Sequence, residues 1–304
     1  MKSLDAKLAA LRKDPSDSEL RDALRSTTGV LVAAAAKLAA ERGVLLDELA
    51  PAFARLCERA DKRDPGCRGK VAIARALHDA DRWEEDVFAA GVRVVQREPI
   101  WGGTQDTAAE LRGICGLAYA HLSPTDALDV LAELLIDPER TARQGAARAL
   151  GDLGRPDASA LLRYKLLAGD EDGEVLAACC ESLLHLQKHD AIAFLGRLCA
   201  RDDERAEVVV LALGASRLEP ALAPIVAWCE RAMPEPRRRV GYLALALTRL
   251  ASDRLLDVVG QGEPADAVAA ARALATFKDD PAVRASVVAA AKGRREAREI
   301  EALF

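Results

Sequence analysis

The stretch DPERTARQGAARALGDL, residues Asp137 to Leu153, decides the architecture. An Asp-Pro pair makes a turn, and the Asp carboxylate is suited to cap the helix that follows. Arg143 comes six residues after Asp137. Ala146, Leu150 and Leu153 then follow Arg143 at three, seven and ten residues. Those intervals put the small and apolar residues on one face of an α-helix.

The same cadence recurs along the chain. Openers are Asp64, Asp106, Asp137, Asp170, Asp202 and Pro234, and the residues six later are Lys70, Arg112, Arg143, Leu176, Val208 and Val240. Ala267 occupies a seventh such anchor without an opener. Six residues beyond each anchor the side chain is small: Ala76, Ala118, Ala149, Ser182, Gly214, Ala246 and Ala273. Small residues at one register let neighbouring helices cross closely. Shorter amphipathic helices are expected between these, over 45–58, 84–96, 125–136, 157–168, 190–200, 219–231 and 252–260. A period near 32 residues built from helix pairs is the mark of a repeat architecture.

Composition agrees with this. Half of the 304 residues are hydrophobic but only 4% are aromatic, so Ala, Leu and Val supply the apolar mass. A net charge of -5 with 30% charged residues gives no overall drive toward nucleic acid or anionic lipid. The most apolar run, residues 29–36, is too short to span a bilayer, and the first twenty residues lack a signal-peptide pattern. Seven cysteines without a CxxC pair point to reduced thiols and a cytoplasmic location. Helices are expected over 3–13 and 17–42, forming an N-terminal cap over 1–44. The repeat array then covers 45–292, its last helix 280–292, and a charged tail runs from 293 to 304.

The segment LLIDPERTARQGAARALGDLG, residues 134–154, resembles the HEAT-repeat family, including its PBS-lyase-like members. That family's motif has an apolar first helix, an Asp-containing turn, Val-Arg early in the second helix, then small and Leu positions. Leu111-Arg112 and Val283-Arg284 repeat the apolar-Arg pair, whereas Leu176, Val208 and Val240 depart from it. The resemblance covers about 45–292. It implies an all-α, right-handed α-solenoid of about seven two-helix repeats, whose second helices line a concave groove. The turn aspartates and anchor cations are expected to form a structural ladder rather than a reactive pair, because they repeat.

The opposite face of the second helices carries the candidate partner-binding residues: Arg75, Asp79, His121, Arg148, Asp152, Glu181, His185, Arg217, Arg249 and Arg272. Arg75/Asp79 and Arg148/Asp152 have the spacing of helix ion pairs. The later part adds Leu213 and Leu245, which suggests a protein or peptide partner that is acidic and partly apolar. A second candidate is the ten-residue surplus between Lys70 and Arg112, a turn containing Pro99, Trp101, Gly102 and Gly103. It reads as a binding loop, or as a loop whose Trp101 folds back over the stack.

No catalytic, cofactor-binding or metal-ligating constellation is expected. There is no P-loop, GxGxxG or GxSxG motif, and Asp79, His121, Asp152 and His185, on successive helices about 8–10 Å apart, do not converge on one ion. The HEAT-like metalloenzyme deoxyhypusine hydroxylase carries repeated His-Glu pairs, and none occurs here. The expectation is a non-enzymatic scaffold that binds a protein. The resemblance also leaves open an alkylpurine-glycosylase-like DNA enzyme or a bilin-lyase-like protein that handles a small molecule.

Overall fold

A computed structural model describes residues 3–201, 203–231 and 235–304. The expected openers Asp202 and Pro234 lie outside the described residues. By internal contacts the chain divides into two units, Met1–Leu161 and Leu162–Phe304. No described helix is long and apolar enough to cross a membrane.

The first unit contains α1 (Leu4–Leu11), α2 (Asp17–Leu24), α3 (Gly29–Arg42), α4 (Leu49–Cys57), α5 (Ala60–Arg63), α6 (Arg68–Asp79) and α7 (Glu85–Gly91). A two-stranded hairpin follows, β1 (Arg97–Ile100) and β2 (Gly103–Asp106), and then α8 (Ala109–Leu122), α9 (Ala127–Leu134) and α10 (Arg140–Asp152). The division falls inside α11 (Ala158–Ala168). The second unit continues with α12 (Gly173–Gln187), α13 (His189–Cys199), α14 (Glu204–Ser216), α15 (Leu222–Glu230) and α16 (Glu235–Thr248). It ends with α17 (Ser252–Gln261), α18 (Pro264–Leu274), α19 (Pro281–Ala291) and α20 (Ala297–Glu301). The protein is all-α apart from the hairpin.

In each unit the second helices pack on one another in chain order. These are α3, α6, α8 and α10 in the first unit and α12, α14, α16 and α18 in the second. All seven expected small positions are buried. Two crossings are especially close, one at the expected small position Gly214 and one at a different register, Gly145. A Cβ on Gly145 of α10 would lie 2.4 Å from the Gly113 Cα of α8, and one on Gly214 of α14 would lie 2.3 Å from the Ala244 carbonyl oxygen of α16. Only glycine fits at these backbone-to-backbone contacts. Ten residues after the anchor the pattern weakens, and Leu250 is exposed.

The single helix expected over 17–42 is two helices. Thr28 N donates to Ser26 Oγ (3.1 Å), and Thr28 has extended backbone angles. The Ser26-Thr27-Thr28 run thus offers the backbone a local partner that competes with helix. Ser16 and Glu19 form a capping box at the start of α2. The expected long turn after α7 is the hairpin, with Arg97 paired to Asp106 and Ile100 to Gly103.

The turn aspartates form the expected ladder. Asp64 and Lys70 are both fully buried, and Lys70 Nζ donates to Asp64 Oδ2 at 2.9 Å. Asp64 also accepts from Gly69 N (2.7 Å) and Lys70 N (3.1 Å), which caps α6. The Asp64 carboxylate occupies the space where a side chain at Gly29 would stand. Arg112 joins two turns: it donates to Asp106 Oδ2 (2.7 Å), and to Asp137 through Nε (2.8 Å) and Nη2 (2.9 Å). Arg143 Nη1 donates to the carbonyls of Asp137 and Pro138, each at 2.9 Å. Where the anchor is Leu176, the cation comes from the preceding helix, and Lys165 Nζ lies 2.8 Å from Asp170 Oδ2.

Asp106 shows how one of these carboxylates stays charged. Burial alone would raise its pKa, but donors at Ala108 N and Gln96 N and the Arg112 guanidinium outweigh burial and hold it below the ordinary value. The buried cysteines are packing residues, as expected for Cys115 and Cys179. Both are fully buried, and burial pushes the Cys67 and Cys179 thiols up to about 12.

Two predictions follow from this packing. Gly145→Ala should destabilise the protein by about 1–3 kcal/mol in chemical denaturation, despite alanine's better helix propensity, because the new methyl meets backbone. The stability difference between wild type and Asp106→Asn should be constant above about pH 5. A group with a depressed folded pKa contributes fully above its unfolded pKa, so the difference should shrink as pH falls below about 4. Melting temperature against pH measures this, and a difference that grows toward acid would contradict it.

Candidate partner-binding faces

The ten residues expected on the outward face of the second helices are all exposed. Their surroundings differ. In the first unit Arg75 pairs with Glu110 of α8, the next second helix, rather than with Asp79 on its own helix. Asp79 lies 3.5 Å from His78 Nδ1. His121 stacks on Trp83, with ring centroids 3.8 Å apart and planes 20° apart, and Trp83 also meets His78 and Phe88. Trp83 is therefore part of this face, although its position in the repeat gave no sign of it. Arg148 and Asp152 have the expected helix spacing but form no ion pair with each other.

In the second unit the side chains of Glu181, His185, Arg217 and Arg272 have no hydrogen bond or ion pair among the described residues. Arg249 sits over the Phe277 ring at 4.2 Å and lies 3.5 Å from Asp280. Two expected members of the face do not belong to it. Leu213 and Leu245 are 0% and 2% exposed and face the core. Each follows its anchor by five residues, but the local helix packing turns that register inward. The apolar component expected for the partner therefore loses its basis in these leucines.

Recesses open between consecutive second helices. Between α3 and α6 lies a cavity of about 610 Å³. Its floor is Ala33, Ala34, Ala40, Ala72, Ala76 and Ala80, and its rim carries Lys37, Glu41, Arg75 and Asp79. Lys37 and Glu41 stand one helical turn apart with 3.8 Å between charged atoms. The rim thus has two cations and two anions over a methyl-lined floor. Covered by a partner, such a surface would exclude water from its centre while keeping its edge solvated.

Between α12 and α14 a recess of about 660 Å³ is lined by Glu181, His185, Lys188, His189 and Ser216, with Leu184, Ala212 and Leu218 as its apolar wall. A smaller recess of about 320 Å³ between α16 and α18 has Arg239 and Arg272 over Val240, Leu243, Ala269 and Ala273. The alanine run of α3 was legible in sequence, but not that it forms a floor. Among the described residues no three His, Cys, Asp or Glu side chains gather as a metal site.

The second candidate, Pro99, Trp101, Gly102 and Gly103, forms the tip of the hairpin. Trp101 does not fold back: its relative exposure is 102%, so it stands free of the protein surface. Gly102 adopts φ 86°, a value the tight turn requires and which suits glycine. The hairpin base is tied to the ladder. Glu98 accepts from Gly66 N (2.8 Å) and Thr107 Oγ1 (3.2 Å), and Gln96 Nε2 donates to the Asp64 carbonyl (2.8 Å). Burial would raise the Glu98 pKa, but these donors, with the Gln96 amide foremost, hold it below the usual carboxylate value.

Known proteins are similar to the chain in two respects. The family model for HEAT repeats matches residues 128–214. A chain in the solved structure of the CpcE–CpcF complex of phycocyanin lyase from Nostoc sp. PCC7120 superposes with a TM-score of 0.44 and 18% identity. That match covers 78% of this chain and 90% of the other. No curated protein matches in sequence. The expectation of a non-enzymatic protein is corrected to this extent: a solved structure similar to the chain is that of a lyase. Residues 128–214, from α9 into α14, thus match HEAT repeats.

Proposed function

We propose that the chain is a protein-binding HEAT-repeat module, and that the recess between α3 and α6 is a docking site for a helical segment of a partner. The α3–α6 recess carries this reading. Its six alanines let another helix approach to the backbone, as Gly113 and Gly145 do where α8 meets α10. Its rim offers both charge signs, so it selects a partner by register of complementary charges rather than by net charge. Binding by an apolar helix face laid into a groove is a recurrent mode of peptide recognition.

The cationic recess between α16 and α18 supports the narrower reading of an acidic segment in the second unit. Arg272 there is exposed and unpaired among the described residues. The docking surface in each unit would then be the exposed face of its second helices.

A photo-crosslinking amino acid placed at Ala34 or Lys37 tests the recess. In cells it should give a discrete protein adduct, while the same group at exposed Arg197 on α13 should give none. Introducing Ala72→Glu beside the crosslinker should reduce the adduct about tenfold or more, since a buried unpaired charge opposes docking. Equal labelling from both helices, or an adduct indifferent to Ala72→Glu, would contradict the proposal.

A further inference from the structure

We infer that the recess between α12 and α14 binds a short peptide with free termini, its carboxylate against Lys188 and His189 and its ammonium against Glu181. The recess, about 660 Å³, lies wholly within the second unit. Its volume is that of a small-molecule site. Glu181, His185 and Lys188 follow one another at four and three residues, which puts them on one face of α12. His189 opens α13 beside them. None of these four side chains makes a hydrogen bond or ion pair among the described residues.

The backbone at Lys188 separates this recess from an ordinary solvated surface. Lys188 has φ 43° and ψ -112°, the mirror image of extended backbone, which glycine adopts freely and a residue with a side chain does not. It stands alone between Gln187, the last residue of α12, and His189, the first of α13. Glycine would make such a corner with less strain. Lysine there places an ammonium on the recess at the expense of the fold, and strain of this kind collects where residues hold a ligand.

Charge selects the ligand. Glu181 and Lys188 are seven residues apart, about 10 Å along the helix axis. A simple anion would meet Glu181, and a simple cation would meet Lys188. A dipolar ligand satisfies both, provided its charges are about 10 Å apart. A single amino acid is too short. An extended peptide advances about 3.3–3.6 Å per residue, so about three residues span the gap.

Between the charged ends, the imidazoles of His185 and His189 offer ring nitrogens to the peptide amides, and Leu184 and Leu218 form an apolar wall. The wall is held in place: Ser216 Oγ donates to the Leu213 carbonyl (2.6 Å) and accepts from Leu218 N (3.3 Å). The two leucines also distinguish this recess from the one between α3 and α6, whose alanine floor admits a helix to backbone contact. An extended chain is narrower than a helix and needs no such floor. The inference stands apart from the docking reading, which rests on α3 and α6.

Isothermal titration calorimetry of the full chain with the tripeptide alanyl-leucyl-alanine tests it. The free peptide should bind with a dissociation constant of about 0.1–1 mM, the range its size allows. Acetylating its amine or amidating its carboxylate should each weaken binding about tenfold. The losses should match particular residues. Lys188→Gly should weaken the free peptide about tenfold and leave the amidated one unaffected; Glu181→Gln should weaken the free peptide likewise and leave the acetylated one unaffected. Lys188→Gly should melt at or above the wild-type temperature, since glycine relieves the backbone. No binding up to about 10 mM, blocked peptides that bind as well as the free one, or a Lys188→Gly variant that melts below wild type would overturn the inference. So would tighter binding of a blocked helix of about fifteen residues with lysine and glutamate seven positions apart, by assigning the recess to protein docking.

Discussion

The buried pair between Asp64 and Lys70 is the contact on which the first unit turns. Neither side chain reaches water. A charge so placed survives only if its partner and hydrogen bonds replace the water it has lost. Asp64 meets that demand with three donors: the Lys70 ammonium and the Gly69 and Lys70 amides. The requirement then propagates. Gly29, at the start of α3, must be glycine because the carboxylate fills the space beside it. Gln96 reaches the Asp64 carbonyl, and Glu98 reaches Gly66, so the hairpin takes its position from the same turn.

Arg112 extends this logic from one repeat to the next. Its planar guanidinium has five donors in a fixed fork, which lets one side chain hold Asp106 and Asp137 together with the Val94 carbonyl. Lysine could not bridge two turns in that geometry. At Asp170 the anchor on the second helix is Leu176, and Lys165 on the helix before the turn supplies the charge. The repeat conserves the electrostatic need of the turn while changing the helix that meets it.

The fold was readable because it rests on local periodicity. Asp137 to Leu153 shows its turn, its anchor and its buried stripe in seventeen consecutive letters, and helix spacing follows from sequence spacing. The exposed positions of Arg75, His121, Arg217 and their counterparts were readable for the same reason. What the pattern could not show depends on contacts between repeats. Leu213 and Leu245 occupy the register of Arg75 and Arg148, yet they are buried because the adjoining helices close over them. The Gly113–Gly145 contact lies one or two residues past the anchors, at a register no single repeat marks out. The surplus after α7 announced an insertion through Pro99, Trp101 and Gly102, but not that short-range pairing would make it a hairpin and hold the indole outward. The recess floor also needs two helices: the alanines of α3 have meaning only opposite Ala72, Ala76 and Ala80.

A double-mutant cycle on Asp64→Asn and Lys70→Met, read by equilibrium denaturation, tests the central claim that the turn ladder holds the repeats together. Each single change strands a buried partner and should cost about 3–5 kcal/mol, whereas the double variant should cost clearly less than the sum. Single changes costing under about 1 kcal/mol, combining additively as exposed pairs do, would contradict it.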